Sequence, residues 1–278
     1  MGVVVEVGQV VRREWIGSRV VINPGVSCGA CEYCRRGEQS ECPRFTIMGL
    51  GRQGVFAQRV SVPAVSLCPA PEHLTPHEAA ALPLAYLTAW RMLFTRGNLR
   101  PGETVLIHGI GGGVAIAGLQ LGKLAGAEVI VTSSKTSKLQ RARDLGADHT
   151  INYADTPDVA SAVKDLTQGR GVDLVLDTTG AATWPINFAA VRRGGRIVHC
   201  GVTTGKTAEV DISALYWNHI TVMGSTMGSN EEFRAMVRAV SAARLRPVVD
   251  SVYPLRDAKA AMGKMEKGEQ FGKIVLEV

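Results

Sequence analysis

No apolar run in this chain approaches the ~20 residues needed to cross a bilayer, which excludes a hydrophobic membrane-spanning helix. Aromatic residues are scarce at 5%, and no long stretch carries charge of one sign. A nucleic-acid groove needs cations clustered among stacking rings. The excess of 31 Lys and Arg over 25 Asp and Glu, a formal net charge of +6, therefore reads as a basic surface that attracts small phosphate-bearing ligands. Internal repeats and low-complexity tracts are also missing. The opening "MGVVVEVGQVVRREW" lacks the basic, apolar and small-residue regions of a signal peptide, so a reducing cytoplasm is expected, where thiolates meet zinc more often than each other.

The 278 residues, 46% of them hydrophobic, are enough for one large or two modest domains with a sizeable core. From Met1 to about Cys68 the texture is short β-runs ("VVVEV", "RVVI", "VFAQRVSV") broken by Gly, Pro and cysteines, as in an all-β module. "TPHEAAALPLAYLTAWRMLF" follows as a helical bridge, with Thr75, Pro76 and Glu78 forming its start signal. From Gly102, near-continuous Val/Ile/Leu strands alternate with amphipathic helices through "GRIVHCG". That rhythm predicts a parallel sheet covered on both faces, hence an α/β fold. A strand "ITVMGS", a helix "EEFRAMVRAVSAARL" and short β pieces close the chain.

Between the first buried strand and its helix stands "HGIGGGVA", with Gly109, Gly111, Gly112 and Gly113. Glycine lets backbone N–H groups approach a pyrophosphate, and the helix N-terminus adds its positive end. The match to G-x-G-x-x-[GA] is imperfect, since Ile110 stands at the first position, and a ligand-free glycine turn is the alternative. At the end of the second strand, where an NAD site normally carries Asp or Glu, the chain offers Ser133, Ser134, Lys135 and Lys138. Hydroxyls and cations suit a 2′-phosphate, so NADP(H) is favoured over NAD(H), against a plain polar loop capping the next helix. The six histidines show no metal-ligand spacing and read as core or surface residues, His108 among them.

"SCGACEYCRRGEQSEC" places Cys28, Cys31, Cys34 and Cys42 at metal-ligand spacing. With the glycine loop, "LQLGKLAGAEVIVT", "RARDLGADHTINY" and the closing "QFGKIVLEV", it makes the chain resemble the medium-chain dehydrogenase/reductases, the zinc-type alcohol dehydrogenases and quinone oxidoreductases. The resemblance implies a GroES-like catalytic domain over 1–88 with a zinc lobe at 27–43, a Rossmann domain over 89–228, and a C-terminal return over 229–278. It also implies that the GroES-like domain is incomplete, because the segments carrying two catalytic-zinc ligands in the family would fall before Met1. Leu84 occupies the third ligand position and cannot bind zinc.

The expected chemistry is therefore NADP(H)-dependent hydride transfer to activated carbonyls, enones or quinones without a catalytic zinc. A zinc-dependent alcohol dehydrogenase and a nucleotide-binding protein without turnover are the alternatives. By resemblance, the four cysteines hold one structural Zn²⁺ with no open coordination position. Thr88 meets the nicotinamide face, Gly111, Gly112, Gly113 and Val114 the pyrophosphate, and Ser133, Ser134 and Lys138 the adenosine phosphate. Tyr153 lies on the adenine side. Cys200, Gly201, Val202, Gly224, Ser225, Thr226 and Met227 line the nicotinamide ribose and carboxamide. Family members are commonly homodimers or homotetramers joined through the strand matching "HITVMGS"; the expected partner is otherwise a small-molecule substrate, not nucleic acid or membrane.

Overall fold

A computed structural model describes residues 1–278. The chain forms two compact units, Met1–Leu87 together with Met227–Val278, and Thr88–Thr226. The first opens with five short strands: β1 (Gly2–Val3), β2 (Arg19–Ile22), β3 (Gly25–Val26), β4 (Thr46–Ile47) and β5 (Leu67–Pro69). β1, β2 and β5 make an antiparallel sheet in that order, and β3 pairs with β4. Helix α1 (Glu32–Arg35) lies within the cysteine segment. The apolar alternation of "VFAQRVSV" does not become a strand: no neighbour pairs with residues 55–62, and Val55, Phe56 and Val60 face solvent.

The bridge is two helices rather than one. Thr75 and Glu78 form a reciprocal capping box on α2 (Pro76–Ala81), as their spacing predicts. Pro83 brings no N–H to continue that helix, so α3 (Pro83–Trp90) starts afresh and runs into a π-helical turn, Arg91–Arg96.

In the second unit strands and helices alternate: β6 (Thr104–Ile107), α4 (Gly113–Leu124), β7 (Glu128–Ser133), α5 (Thr136–Asp144), β8 (His149–Asn152), α6 (Val159–Leu166), β9 (Val172–Asp177), α7 (Trp184–Ala190), β10 (Val191–His199), α8 (Ile212–Trp217) and β11 (Thr221–Gly224). All six strands are parallel, ordered β11-β10-β9-β6-β7-β8. The order reverses between β6 and β9, which opens a crevice outside the carboxyl ends of the strands. Both β6 and β9 are buried along their whole length. Leu106, Ile130, Val175 and Ile197 on the sheet pack with Val159, Val163 and Ala190 from the covering helices. The run "WPINFAAVRR" is helical only to Ala190; Val191 already begins β10, with a register shift before Arg196.

The chain returns to the first unit through α9 (Asn230–Ala242), β12 (Val249–Pro254), α10 (Ala258–Glu266) and β13 (Lys273–Glu277), where β12 and β13 run parallel. Side chains tie this return to the opening segments: Asn23 Nδ2 donates to Asn230 Oδ1 at 2.9 Å, His73 Nε2 to the Leu245 carbonyl at 2.9 Å, and Arg246 Nη1 to Glu78 Oε2 at 2.8 Å.

At the amino end of the parallel strands, Asp173 is buried with three donors, one in the loop before β9 and two on neighbouring strands. Arg170 Nη2 lies 2.6 Å away, Arg192 Nε on β10 2.6 Å, and the Thr104 N–H on β6 2.9 Å. Burial alone would raise this carboxyl, but Arg170, the Thr104 amide and Arg192 outweigh it and hold it at about 2. Because the folded value lies below the unfolded one, the stabilisation is present above about pH 4 and is lost as pH falls towards 2. Asp173→Asn is therefore expected to lower unfolding free energy by about 2 kcal/mol at pH 7. Urea denaturation of both proteins should show the gap closing in acid; coincident curves at pH 7 would refute this role.

Candidate functional site

Cys28, Cys31, Cys34 and Cys42 converge in the first unit, their Sγ atoms all within 4.8 Å of one another. Sγ of Cys34 stands 3.9 Å from that of Cys28 and 3.5 Å from that of Cys31. Four thiolates at ~2.3 Å from one Zn²⁺ would be separated by ~3.8 Å in a tetrahedron, so the cluster fits that ion with little movement. Backbone N–H groups already point at the sulfurs: Cys31 at Cys28 Sγ, 3.4 Å, and Arg44 at Cys42 Sγ, 3.3 Å. Such donors steady thiolate charge. With four protein ligands the geometry leaves no coordination position for substrate.

The glycine loop joins β6 to α4 at the switch point. Gly111 has φ +127°, and a side chain there would meet Lys138 Nζ at 2.8 Å, so the lysine of α5 lies across the loop. The first intrahelical bond runs from the Ile116 N–H to the Gly112 carbonyl, 3.0 Å. The amides of Gly113, Val114 and Ala115 thus begin the helix without intrahelical acceptors. No side chain caps them, whereas Thr75, Asp158, Asp211 and Ser229 cap α2, α6, α8 and α9. Three amides without side-chain or intrahelical acceptors, at the positive end of a twelve-residue helix, can take an anion.

The other expected contacts, Thr88 and Met227 apart, sit along the same edge of the sheet. Ser133 closes β7, its Oγ accepting from the Lys135 N–H at 3.1 Å; Ser134 is exposed beside it. The Tyr153 N–H donates to the Ser133 carbonyl at 3.1 Å, and the ring is half exposed. Cys200 follows β10 and donates its N–H to the Asp177 carbonyl at 2.9 Å; burial, with the Asp177 charge adding, pushes its thiol up to about 12. Gly201 has φ +99°, and a Cβ there would strike the Thr178 carbonyl at 2.8 Å. Gly201, Val202, Gly224 and Thr226 are exposed. The Ser225 N–H donates to the His199 carbonyl at 3.0 Å, while the Ser225 hydroxyl oxygen is buried without a partner. An orphaned hydroxyl at this edge fits a carboxamide or ribose contact. Thr88 is buried near the end of α3, and Met227, with φ +49°, is buried in the first unit.

One group at this edge was not legible as a group in the sequence. Asp177 ends β9 fully buried and accepts from the Thr179 N–H at 2.7 Å, Thr183 Oγ1 at 2.8 Å and Asn187 Nδ2 at 2.6 Å. His199 Nδ1 stands 3.5 Å from it, an ion pair only when the ring is protonated, and otherwise makes no hydrogen bond. His108, read from sequence as a core residue, is buried and bonded to both Asn187 and Thr132. The available signal was an acidic residue closing a buried strand whose other charge, Asp173, lies at its far end. At the opposite end of the sheet a cavity of about 600 Å³ is lined by Lys164, Arg170, Arg192 and Arg193. Its cations answer helix C-termini and Asp173, which accounts for them structurally.

Comparison with known proteins matches residues 1–72 to the alcohol dehydrogenase GroES-like domain and 113–242 to the zinc-binding dehydrogenase domain. A zinc-type alcohol dehydrogenase-like protein of Schizosaccharomyces pombe is 34% identical over 87% of this chain and 71% of its own length. The crotonyl-CoA carboxylase/reductase of Cereibacter sphaeroides is 32% identical over 96% of this chain and 68% of its own. A crystal structure of an NAD-dependent alcohol dehydrogenase superposes with a TM-score of 0.95 at 42% identity, covering all of this chain and 80% of that one. With both halves of the family pattern matched in order, and relatives this close along nearly the whole sequence, the chain belongs to the zinc-type medium-chain dehydrogenases, NAD(P)-dependent oxidoreductases of GroES-like and Rossmann architecture.

Proposed function

We propose that this chain holds NADP(H) and delivers hydride to a conjugated carbonyl, an enone or a quinone, without a catalytic zinc. The observation that carries the cofactor half is the uncapped start of α4 beneath Lys138. The amides of Gly111, Gly113 and Val114 would hold the pyrophosphate; Gly112, expected with them, would line it without its N–H, which donates to the Gly109 carbonyl at 3.3 Å. Ser133, Ser134 and Lys138 would hold a 2′-phosphate, in a place where no carboxylate stands to accept from a ribose hydroxyl. Tyr153 would flank the adenine; Thr88, Cys200 to Val202 and Gly224 to Met227 would orient the nicotinamide and its ribose. Bound there, the nicotinamide supplies the hydride.

The substrate half rests on Leu84, an aliphatic side chain where the family pattern needs a metal donor. Without a Lewis acid, hydride addition is easiest where the resulting charge spreads over a conjugated oxygen that hydrogen-bond donors can steady. The kinship with a reductase named for crotonyl-CoA, an α,β-unsaturated thioester, supports that class. The four-cysteine lobe would carry one structural zinc. The exposed edge strand β11 and the exposed Ile212, Tyr216 and Trp217 of α8 support association of copies through that edge, as a homodimer or homotetramer.

Steady-state assay with NADPH against enones, quinones and simple aldehydes tests the reading; turnover confined to simple alcohols and aldehydes would overturn it. NADPH should bind more tightly than NADH, and Lys138→Met should weaken NADPH about tenfold while leaving NADH nearly unchanged; tighter NADH binding by the wild type would reverse the cofactor assignment. Elemental analysis should return one zinc per chain, lost together with stability in Cys31→Ser. Two zinc atoms per chain would restore the zinc alcohol dehydrogenase reading.

A further inference from the structure

The glycine loop is anchored from behind by a chain of hydrogen bonds whose direction is dictated by one carboxylate. The oxygens of Asp177 only accept, so the Asn187 amide must turn Nδ2 towards Asp177, 2.6 Å, and Oδ1 towards His108 Nε2, 2.9 Å. An amide oxygen cannot donate, so His108 carries its proton on Nε2. Burial pushes the His108 pKa down, against the Asp177 charge and the Asn187 bond, and the ring is neutral. Its Nδ1 is then an acceptor, and the Thr132 hydroxyl, 3.3 Å away, donates to it. That rotation leaves the Thr132 oxygen lone pairs facing the Gly109 N–H at 3.4 Å, while the Thr132 carbonyl takes the next amide, Ile110, at 2.9 Å. Every member has one consistent role, from Asp177 on β9 through α7, β6 and β7 to the loop.

Gly109 and Ile110 are therefore turned inward at Thr132, the Gly112 N–H donates to the Gly109 carbonyl at 3.3 Å, and the amides left for the crevice are those of Gly111, Gly113 and Val114. We propose that Thr132, His108, Asn187 and Asp177 act as positioning residues for dinucleotide binding: they fix which backbone amides of the loop face the pyrophosphate, although none of their side chains reaches the ligand. This inference rests on the dinucleotide reading above. It adds Thr132, Asn187 and Asp177, on β7, α7 and β9, and gives a role to His108 just ahead of the glycines.

Thr132→Val removes the hydroxyl at constant volume, releasing the Gly109 amide and leaving His108 Nδ1 without its donor; Thr132→Ser restores both. Dissociation constants for NADPH and NADH, followed by nucleotide fluorescence, measure the effect. For whichever dinucleotide the wild type holds more tightly, Thr132→Val should bind about tenfold more weakly and Thr132→Ser within about twofold of wild type. Asn187→Ala, which breaks the chain between His108 and Asp177, should weaken binding about threefold; this second variant carries the test if Thr132→Val does not fold. Wild-type affinity in both Thr132→Val and Asn187→Ala would overturn the inference and leave the dinucleotide reading intact, as would an equal loss in Thr132→Ser and Thr132→Val. Absence of binding by the wild type itself would overturn the dinucleotide reading, and this inference with it.

Discussion

A strand buried on both faces can carry charge only near its ends, and β9 carries an aspartate at each. Asp173 at the amino end gathers Thr104 of β6 and Arg192 of β10; Asp177 at the carboxyl end gathers Thr183 and Asn187 and, through His108, the end of β6. The Cys200 N–H on the Asp177 carbonyl brings in the end of β10. Three neighbouring strands are thereby registered at both edges by polar contacts too costly to leave half-made. Apolar packing between the layers would tolerate small slippage along the strand direction. These two clusters do not, and the crevice over the β6–β9 switch point inherits its shape from them.

The first unit is stabilised by different means. Its strands are two to six residues long, too short to form a deep apolar layer, and its parts are stitched by side chains distant in sequence. Asn230 illustrates this: its side chain accepts from Asn23 and its N–H donates to Gln39 Oε1 at 3.2 Å, so the start of α9 holds both a strand end and a turn within the cysteine lobe. Four thiols in one small lobe suit such a framework, since a metal supplies closure that apolar area does not.

What could be read from residues alone was whatever depends on local pattern. The buried strands of the second unit, the glycine loop, the cysteine spacing and the Thr75–Glu78 cap are all written in short windows. The errors fall where a window misleads. "VFAQRVSV" alternates like a strand but finds no partner, and the bridge breaks at Pro83. The short helices α8 and α10 are not signalled by any long apolar period, and the α10 segment reads among the closing β pieces. The Asp177 cluster lay beyond reach altogether, because Thr132 and Asn187 are 55 positions apart and only the strand order brings them to one histidine.

The start of α4 divides labour between backbone and side chain. Under the proposed function, affinity for a pyrophosphate there would come from amides, which every residue except proline possesses, whereas the choice between cofactors would fall on side chains in the few positions from Ser133 to Lys138. Mutation reaches these two properties unequally. On that reading, cofactor preference would drift by single exchanges at the end of β7 while the cradle stays intact, and the cradle would be lost only when the chain path changes, so switching coenzymes would take far fewer changes than abandoning them.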